Sequence, residues 1–292
     1  MGDRVGNLLV IVVDLHPVWW ANHSLTEVIQ SSLILANAHL LQSPLNKLSV
    51  YGYMNTGVYK LYPDEENLVV GESTAGKFEG FDVVNTTILM KIKDVMLECD
   101  NPEEHRQLDG SLLSGALIKA LCHCNVMSKN LSLGSILQSR ILVMKGSPDS
   151  RSQYMAIMNS IFAAQKNKVS IDSCVLGEDS TFLQQASEIT GGTYVRVGEH
   201  SKLTQYLLGV FLMGVEFRKS FHTPPAAKVD FRAACQCHSK MTDVGYVCSV
   251  CMSVYCNFRP MCMTCNAHFK LPTALLKGKK VTGKRKLENG KS

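Results

Sequence analysis

The chain has no apolar run approaching the roughly 18 residues that a membrane-spanning helix requires. Its start, MGDRVGNLLVIVVD, lacks a signal-peptide layout, because the apolar part is short and no small-residue cleavage site follows it. Gly2 does not announce myristoylation either, since Gly6 stands where Ser or Thr is required. A soluble, intracellular protein is the expectation. Hydrolase signatures are also missing: there is no G-x-S-x-G and no H-E-x-x-H. His16, His39, His123, His200 and His222 have no triad context, and a lone histidine is more often structural than catalytic. "GESTAGKF", Gly71 to Phe78, imitates a phosphate loop. Phe78 replaces the magnesium-binding Ser or Thr, and "FEGFD" is a poor helix start, so nucleotide binding is not expected.

Excess charge of either sign is lacking over most of the chain. The net charge is +5, while the last sixteen residues carry seven cations (Lys277, Lys279, Lys280, Lys284, Arg285, Lys286, Lys291) against Glu288. The remaining body is therefore near neutrality, which argues against a polyanion-binding surface there. The tail reads as a solvated charge run or a nuclear-import signal in "GKKVTGKRK". Any nucleic-acid contact should be weak, non-specific and confined to this tail.

Of what is present, 292 residues and 46% hydrophobic content suggest about two domains with a sizeable core. Leu8–Val13 is a continuous apolar run suited to a strand buried on both faces. Ser24 and Glu27 make a capping box, and Leu25, Val28, Ile29, Leu33, Ala36 and Leu40 keep helical spacing behind it. Lys47–Met54 predicts a second strand. Residues 55–84 have no sustained period and suggest an irregular insertion. Helices are expected over Asn85–Glu98, Ser111–Asn125, Ser152–Lys166, Ser180–Thr190 and Leu203–Leu212, with strands over Arg140–Lys145, Val169–Leu176 and Thr193–Val197. Alternation of this kind implies an α/β fold, a mostly parallel sheet with helices on both faces. Pro224-Pro225 marks a linker, giving expected boundaries of 1–219 for the α/β domain, 220–232 for the linker, 233–270 for a Cys-rich module and 271–292 for a basic disordered tail.

Seven of the eleven cysteines lie between Cys235 and Cys265. In a chain without a secretory signal this favours metal thiolates over disulfides. Cys248-x-x-Cys251 and Cys262-x-x-Cys265 supply two thiolate pairs that can meet at one tetrahedral zinc, leaving no open coordination position. So small a module needs such a staple, because its own core is thin. Cys235, Cys237, Cys256 and His268 offer a second set, enough for a cross-braced, RING-like module. Cys99, Cys122, Cys124 and Cys174 read as ordinary buried thiols. At the carboxyl end of the first strand, where open α/β sheets bind ligands, stand Asp14, Trp19 and Trp20. The tryptophans either pack the loop down or anchor a protein partner.

"NLLVIVVD", "DGSLLSGALIKAL" (Asp109–Leu121), "RILVMKGSPD" (Arg140–Asp149) and "ASEITGGTYVRV" (Ala186–Val197) resemble a von Willebrand factor type A domain over residues 7–213. Metal-binding members carry D-x-S-x-S after the first strand, a Thr before the helix that Ser111 opens here, and an Asp after the "ILVM"-like strand. This chain keeps Asp14, but His16 and Val18 replace the serines and Lys145 replaces the later Asp. One carboxylate and the Ser111 hydroxyl beside an ammonium make a poor magnesium site. The site of Asp14, Ser111 and Lys145 is thus expected to be degenerate and free of magnesium, with Lys145 pairing Asp14 in the cation's stead.

A degenerate type A domain, a proline-marked linker and a four-cysteine module form a specific combination. With "HPVWW", "IFAAQK" and "GYVCSVCMSVYC" added, the chain is similar to the small von Willebrand A/zinc-finger subunits of the TFIIH core, the general transcription and nucleotide-excision-repair factor. The resemblance implies a nuclear, non-enzymatic scaffold that pairs with the other von Willebrand A subunit of that complex, the one with a RING-type zinc domain. A RING-like ubiquitin-ligase component is the alternative, against which the missing C-x-H-x-x-C core counts.

Overall fold

The Leu8–Val13 run forms the middle of an eleven-residue strand, Arg4–Asp14 (β1). The computed structural model describes residues 4–20, 24–63, 79–98, 112–130, 135–218, 220–221, 229–238 and 240–269. Five further strands complete one sheet: β2 (Lys47–Tyr53), β3 (Val58–Tyr62), β4 (Ser135–Lys145), β5 (Ser170–Val175) and β6 (Tyr194–Arg196), in the spatial order β3-β2-β1-β4-β5-β6. Only β3 runs antiparallel to its neighbour. β1 is central and pairs on both sides, with Ile11 opposite Val50 of β2 and Leu142 of β4. Such a strand has no solvent face, which is why its sequence is continuously apolar and does not alternate.

The period of two then sorts the core. Leu9, Ile11 and Val13 face one cluster with Val28, Leu35, Ile88, Ile92, Leu203 and Phe211, supplied by helices Leu25–Gln42 and Glu79–Glu98 and the last helical segment. Leu8, Val10 and Val12 are equally buried but lie outside that cluster, and the helices Leu113–Lys129, Tyr154–Lys166 and Thr181–Thr190 bury Leu117, Ile157 and Leu183. Ser24 caps its helix through the Glu27 N–H at 3.3 Å, and Ser180 caps the Thr181 helix through the Leu183 N–H. Gly191, at φ +70°, ends that helix in the left-handed conformation glycine permits.

Two expectations need correction. Residues 55–84 are not wholly irregular: β3 lies within them, and the following helix begins at Glu79, not Asn85, so "EGFD" (79–82) does enter a helix. The period failed because β3 is a half-buried edge strand and the first turn of the helix is largely exposed. The phosphate-loop-like stretch 71–78, Pro224-Pro225 and the tail 271–292 lie outside the described residues.

At the amino end of the sheet a charged lock is buried. Arg218 grips Asp172 of β5 through two bonds, Nη1 to Oδ1 at 2.5 Å and Nη2 to Oδ2 at 2.7 Å. Arg140 donates to the carbonyls of Phe211, Leu212 and Met213, neutralising the end of the helical segment Leu203–Phe211. Desolvation pulls the Arg140 pKa down to about 10, Asp172 opposing the fall and Arg218 adding to it. His39 is also fully buried, its Nε2 within 3.3 Å of the Asn7 and Lys47 carbonyls; desolvation and then the Arg140 charge lower its pKa to about 4. It is a neutral structural group. Among the described residues no helix is long and apolar enough to cross a membrane.

The chain divides into two units, Met1–Phe231 and Arg232–Ser292. The second is built from two short hairpins, Ala233–Ala234 with Met241–Thr242 and Tyr246–Val247 with Val254–Tyr255, together with cysteine turns.

Candidate functional site

Asp14 ends β1 with no solvent exposure. Its Oδ2 accepts the N–H groups of Gly146 (3.3 Å) and Ser147 (2.9 Å) and the Ser147 hydroxyl, while Oδ1 accepts the His16 N–H at 3.1 Å. The carboxylate is surrounded by donors, whereas a magnesium ion needs acceptors converging on one point. Lys145 does not pair with Asp14 as the sequence suggested. Its ammonium bonds the Ser147 carbonyl and lies 2.9 Å from Asp149 Oδ1. The physical reason is local: the turn after β4 presents the Gly146 and Ser147 amides to Asp14, and Asp149, which also accepts the Ser180 hydroxyl at 2.6 Å, takes the cation. Tyr53 is buried at the same end of the sheet. Desolvation, then the charges of Asp14 and Asp149, push its pKa well above the phenol range. Ser111 lies outside the described residues.

Trp20 is buried in the core and donates its indole N–H to the Asp14 carbonyl at 2.8 Å. Trp19 is half-buried and lies on two glycines: a Cβ at Gly146 would come within 2.0 Å of its indole nitrogen, and one at Gly177 within 2.7 Å of its ring. Of the two readings offered by the sequence, Trp20 takes the packing one. An anchor must reach its partner, and this ring is enclosed. The Ser49 hydroxyl meets His123 Nε2 at 2.7 Å, but Ser49 is only 1% exposed and offers no accessible nucleophile. Desolvation raises the buried thiols of Cys124 and Cys174 to about 12, as inert core cysteines require. Cys122 is exposed instead, and Cys99 lies outside the described residues.

In the second unit the sulfurs of Cys248, Cys251, Cys262 and Cys265 all lie within 4.8 Å of one another. Cys248–Cys265 and Cys251–Cys262 stand 3.6 and 3.5 Å apart. A tetrahedron with metal–sulfur bonds of ~2.3 Å has sulfurs about 3.8 Å apart, whereas a disulfide requires ~2.05 Å, so the set fits a metal. Two matching turns create it. The Cys248 N–H bonds the Ser253 carbonyl, and the Cys262 N–H bonds the Ala267 carbonyl, each at 2.9 Å. Met252 and Asn266 close the turns at φ +61° and +57°. Tyr255, 2% exposed, lies beneath, its hydroxyl 3.1 Å from the Cys262 sulfur. Desolvation raises the Cys262 thiol, but that hydroxyl and nearby backbone amides more than offset it, and the pKa falls to about 5.

The second group is Cys235, Cys237, His238 and Cys256. The fourth member is His238, not His268. His268 instead pairs with Met261 through a backbone bridge. The signal was available: His238 stands at the same i+3 spacing from Cys235 as each second cysteine from its first. The Cys-x-Cys opening obscured it.

The family model described as transcription factor Tfb4 matches residues 6–266. The general transcription and DNA repair factor IIH subunit TFB4 of Arabidopsis thaliana is 37% identical over 275 residues, spanning 90% of this chain and 89% of that protein. The Schizosaccharomyces pombe tfb4 subunit is 36% identical over the same length, with 90% and 89% covered. The crystal structure of the TFIIH p34 N-terminal domain superposes with a TM-score of 0.61 at 32% identity, covering 70% of this chain and 98% of that one.

Proposed function

The chain belongs to the Tfb4 family of transcription factors, and on that premise we propose that it is a non-enzymatic structural subunit of the general transcription and DNA repair factor IIH. It acts in RNA polymerase II initiation and nucleotide-excision repair by holding other subunits of the core, foremost the other von Willebrand A subunit with its RING-type zinc domain. Its place of work is the nucleus. The match to TFB4 subunits over nearly the whole chain carries this reading.

Two features of the molecule support it. Donors of the chain itself surround Asp14, so the residues do not fit magnesium and leave no opening for metal-dependent chemistry there. Cys248, Cys251, Cys262 and Cys265 fit a closed structural zinc, which supplies folding energy and no reactive water. The tail contributes at most weak, non-specific nucleic-acid contact, and neither a small-molecule substrate nor a membrane is involved.

Affinity purification of the tagged full chain from nuclear extract, washed at high salt, tests the assignment. The core of factor IIH should be recovered stoichiometrically. Recovery of ubiquitin-conjugating enzymes alone, or of no partner, would overturn it.

A further inference from the structure

The two turns that build the four-cysteine site share a pattern. A leading cysteine sends its N–H to the carbonyl five residues on, and the second ligand sits at the third position. The same closure occurs once more in this unit: the Cys235 N–H bonds the Lys240 carbonyl at 2.9 Å, and the third position is His238. Such a turn points its first and third-position side chains to one side. Two more donors reach that point. Cys237 Sγ and His238 Nδ1 each lie 3.2 Å from Cys256 Sγ, and all four donor atoms fall within 4.8 Å of one another. Bonds of ~2.3 Å to sulfur and ~2.0 Å to nitrogen would separate tetrahedral donors by roughly 3.5–3.8 Å, so a few tenths of an ångström of relaxation admits the ion. The Cys237–Cys256 separation is far beyond a disulfide bond.

We propose that Cys235, Cys237, His238 and Cys256 form a second zinc site, a mixed three-thiolate, one-imidazole centre beside the four-thiolate one. On loading, three thiols release their protons and the imidazole binds neutral. The chain threads the two sites alternately. Cys256 lies between the Cys248/Cys251 and Cys262/Cys265 pairs, and the Gln236 N–H bonds the Val254 carbonyl at 2.7 Å, tying the third turn to the strand Val254–Tyr255 that Cys256 directly follows. Each ion therefore fixes a segment that the other depends on. A unit with this little core gains a cross-braced frame in place of one isolated loop. The inference extends the zinc-held reading of this unit, and counting and typing the metals separates the two.

The test is metal content of the zinc-purified full chain by native and inductively coupled plasma mass spectrometry, joined to cobalt substitution and visible absorption. Two ions per chain are expected, with cobalt bands of one four-thiolate and one three-thiolate, one-nitrogen centre. His238→Ala should remove one ion or shift the mixed-centre bands alone. His238→Cys should keep two ions and convert the spectrum to four-thiolate character, which guards against a variant that merely fails to fold. His268→Ala should change nothing. A single four-thiolate ion in the wild type would overturn the second site and leave the first standing. Two ions with cobalt bands unaltered by His238→Ala would overturn this ligand set, and absence of any ion would overturn both.

Discussion

In the α/β unit, Leu8, Leu9 and Val10 are consecutive and wholly buried. In the second unit, among the described residues, the wholly buried ones are Cys248, Ser253 and Cys262, while Val244 is 85% exposed and Val250 70%. One unit is held by apolar area removed from water on two faces of a sheet. Among its described residues the other has Tyr255 and Ala234 as buried apolar side chains besides the cysteines, too little to offset the entropy of ordering it, which is the role ligand bonds fill in the zinc-held reading. Polar groups differ in the same sense. In the first unit buried charges are neutralised internally, Arg218 by Asp172 and Lys145 by Asp149, whereas in the second the cysteine sulfurs gather in clusters whose spacing fits a cation.

The largest effect should follow loss of a ligand in the second unit. Structural zinc contributes on the order of 10–16 kcal/mol of folding free energy in small fingers. Cys248→Ser should release zinc and abolish dispersed amide signals from 232–269 in NMR spectra, with those of the α/β unit unchanged. Next comes the buried lock. Asp172→Ala strands the Arg218 guanidinium, which is only 6% exposed, at a cost of about 3–5 kcal/mol. For a unit of this size that lowers the calorimetric melting temperature by roughly 10 °C; an unchanged melting temperature would deny the lock.

His39 gives a smaller, pH-dependent effect confined to the first unit. Its folded pKa of about 4 lies below the ordinary 6.5, so between these values the unfolded chain binds a proton that the folded chain refuses. Stability from this group is complete above pH 6.5 and falls as pH drops towards 4, by about 3 kcal/mol in all. His39→Gln should flatten that part of a urea-midpoint profile. The smallest expected effect is none: magnesium titrated calorimetrically into the full chain should give no binding heat. Micromolar affinity abolished by Asp14→Ala would contradict the closed geometry.

The first unit was legible where burial imposed a period, as in Leu8–Val13 and the Leu25–Gln42 helix with its Ser24 cap. It was not legible in β3, an edge strand with only Leu61 fully buried, because partial burial leaves no strict alternation. Long-range polar pairs leave no local trace: Arg218 and Asp172 lie 46 residues apart, and Ser147 reaches Asp14 across 133. That is why the absence of a magnesium motif was readable while the group replacing it was not. In the second unit ligand spacing replaces periodicity. The two C-x-x-C pairs therefore led directly to their cluster, and His238 was missed because Cys237 interrupts the same spacing.

The contrast between a self-sufficient unit and a metal-dependent one can be measured in one sample. Amide hydrogen exchange of the full chain, read by mass spectrometry before and after zinc chelation, resolves both. Protection should vanish across 232–269 and persist in β1, β2, β4 and β5. Protection retained in 232–269 after verified zinc removal, or lost in the sheet as well, would contradict the division.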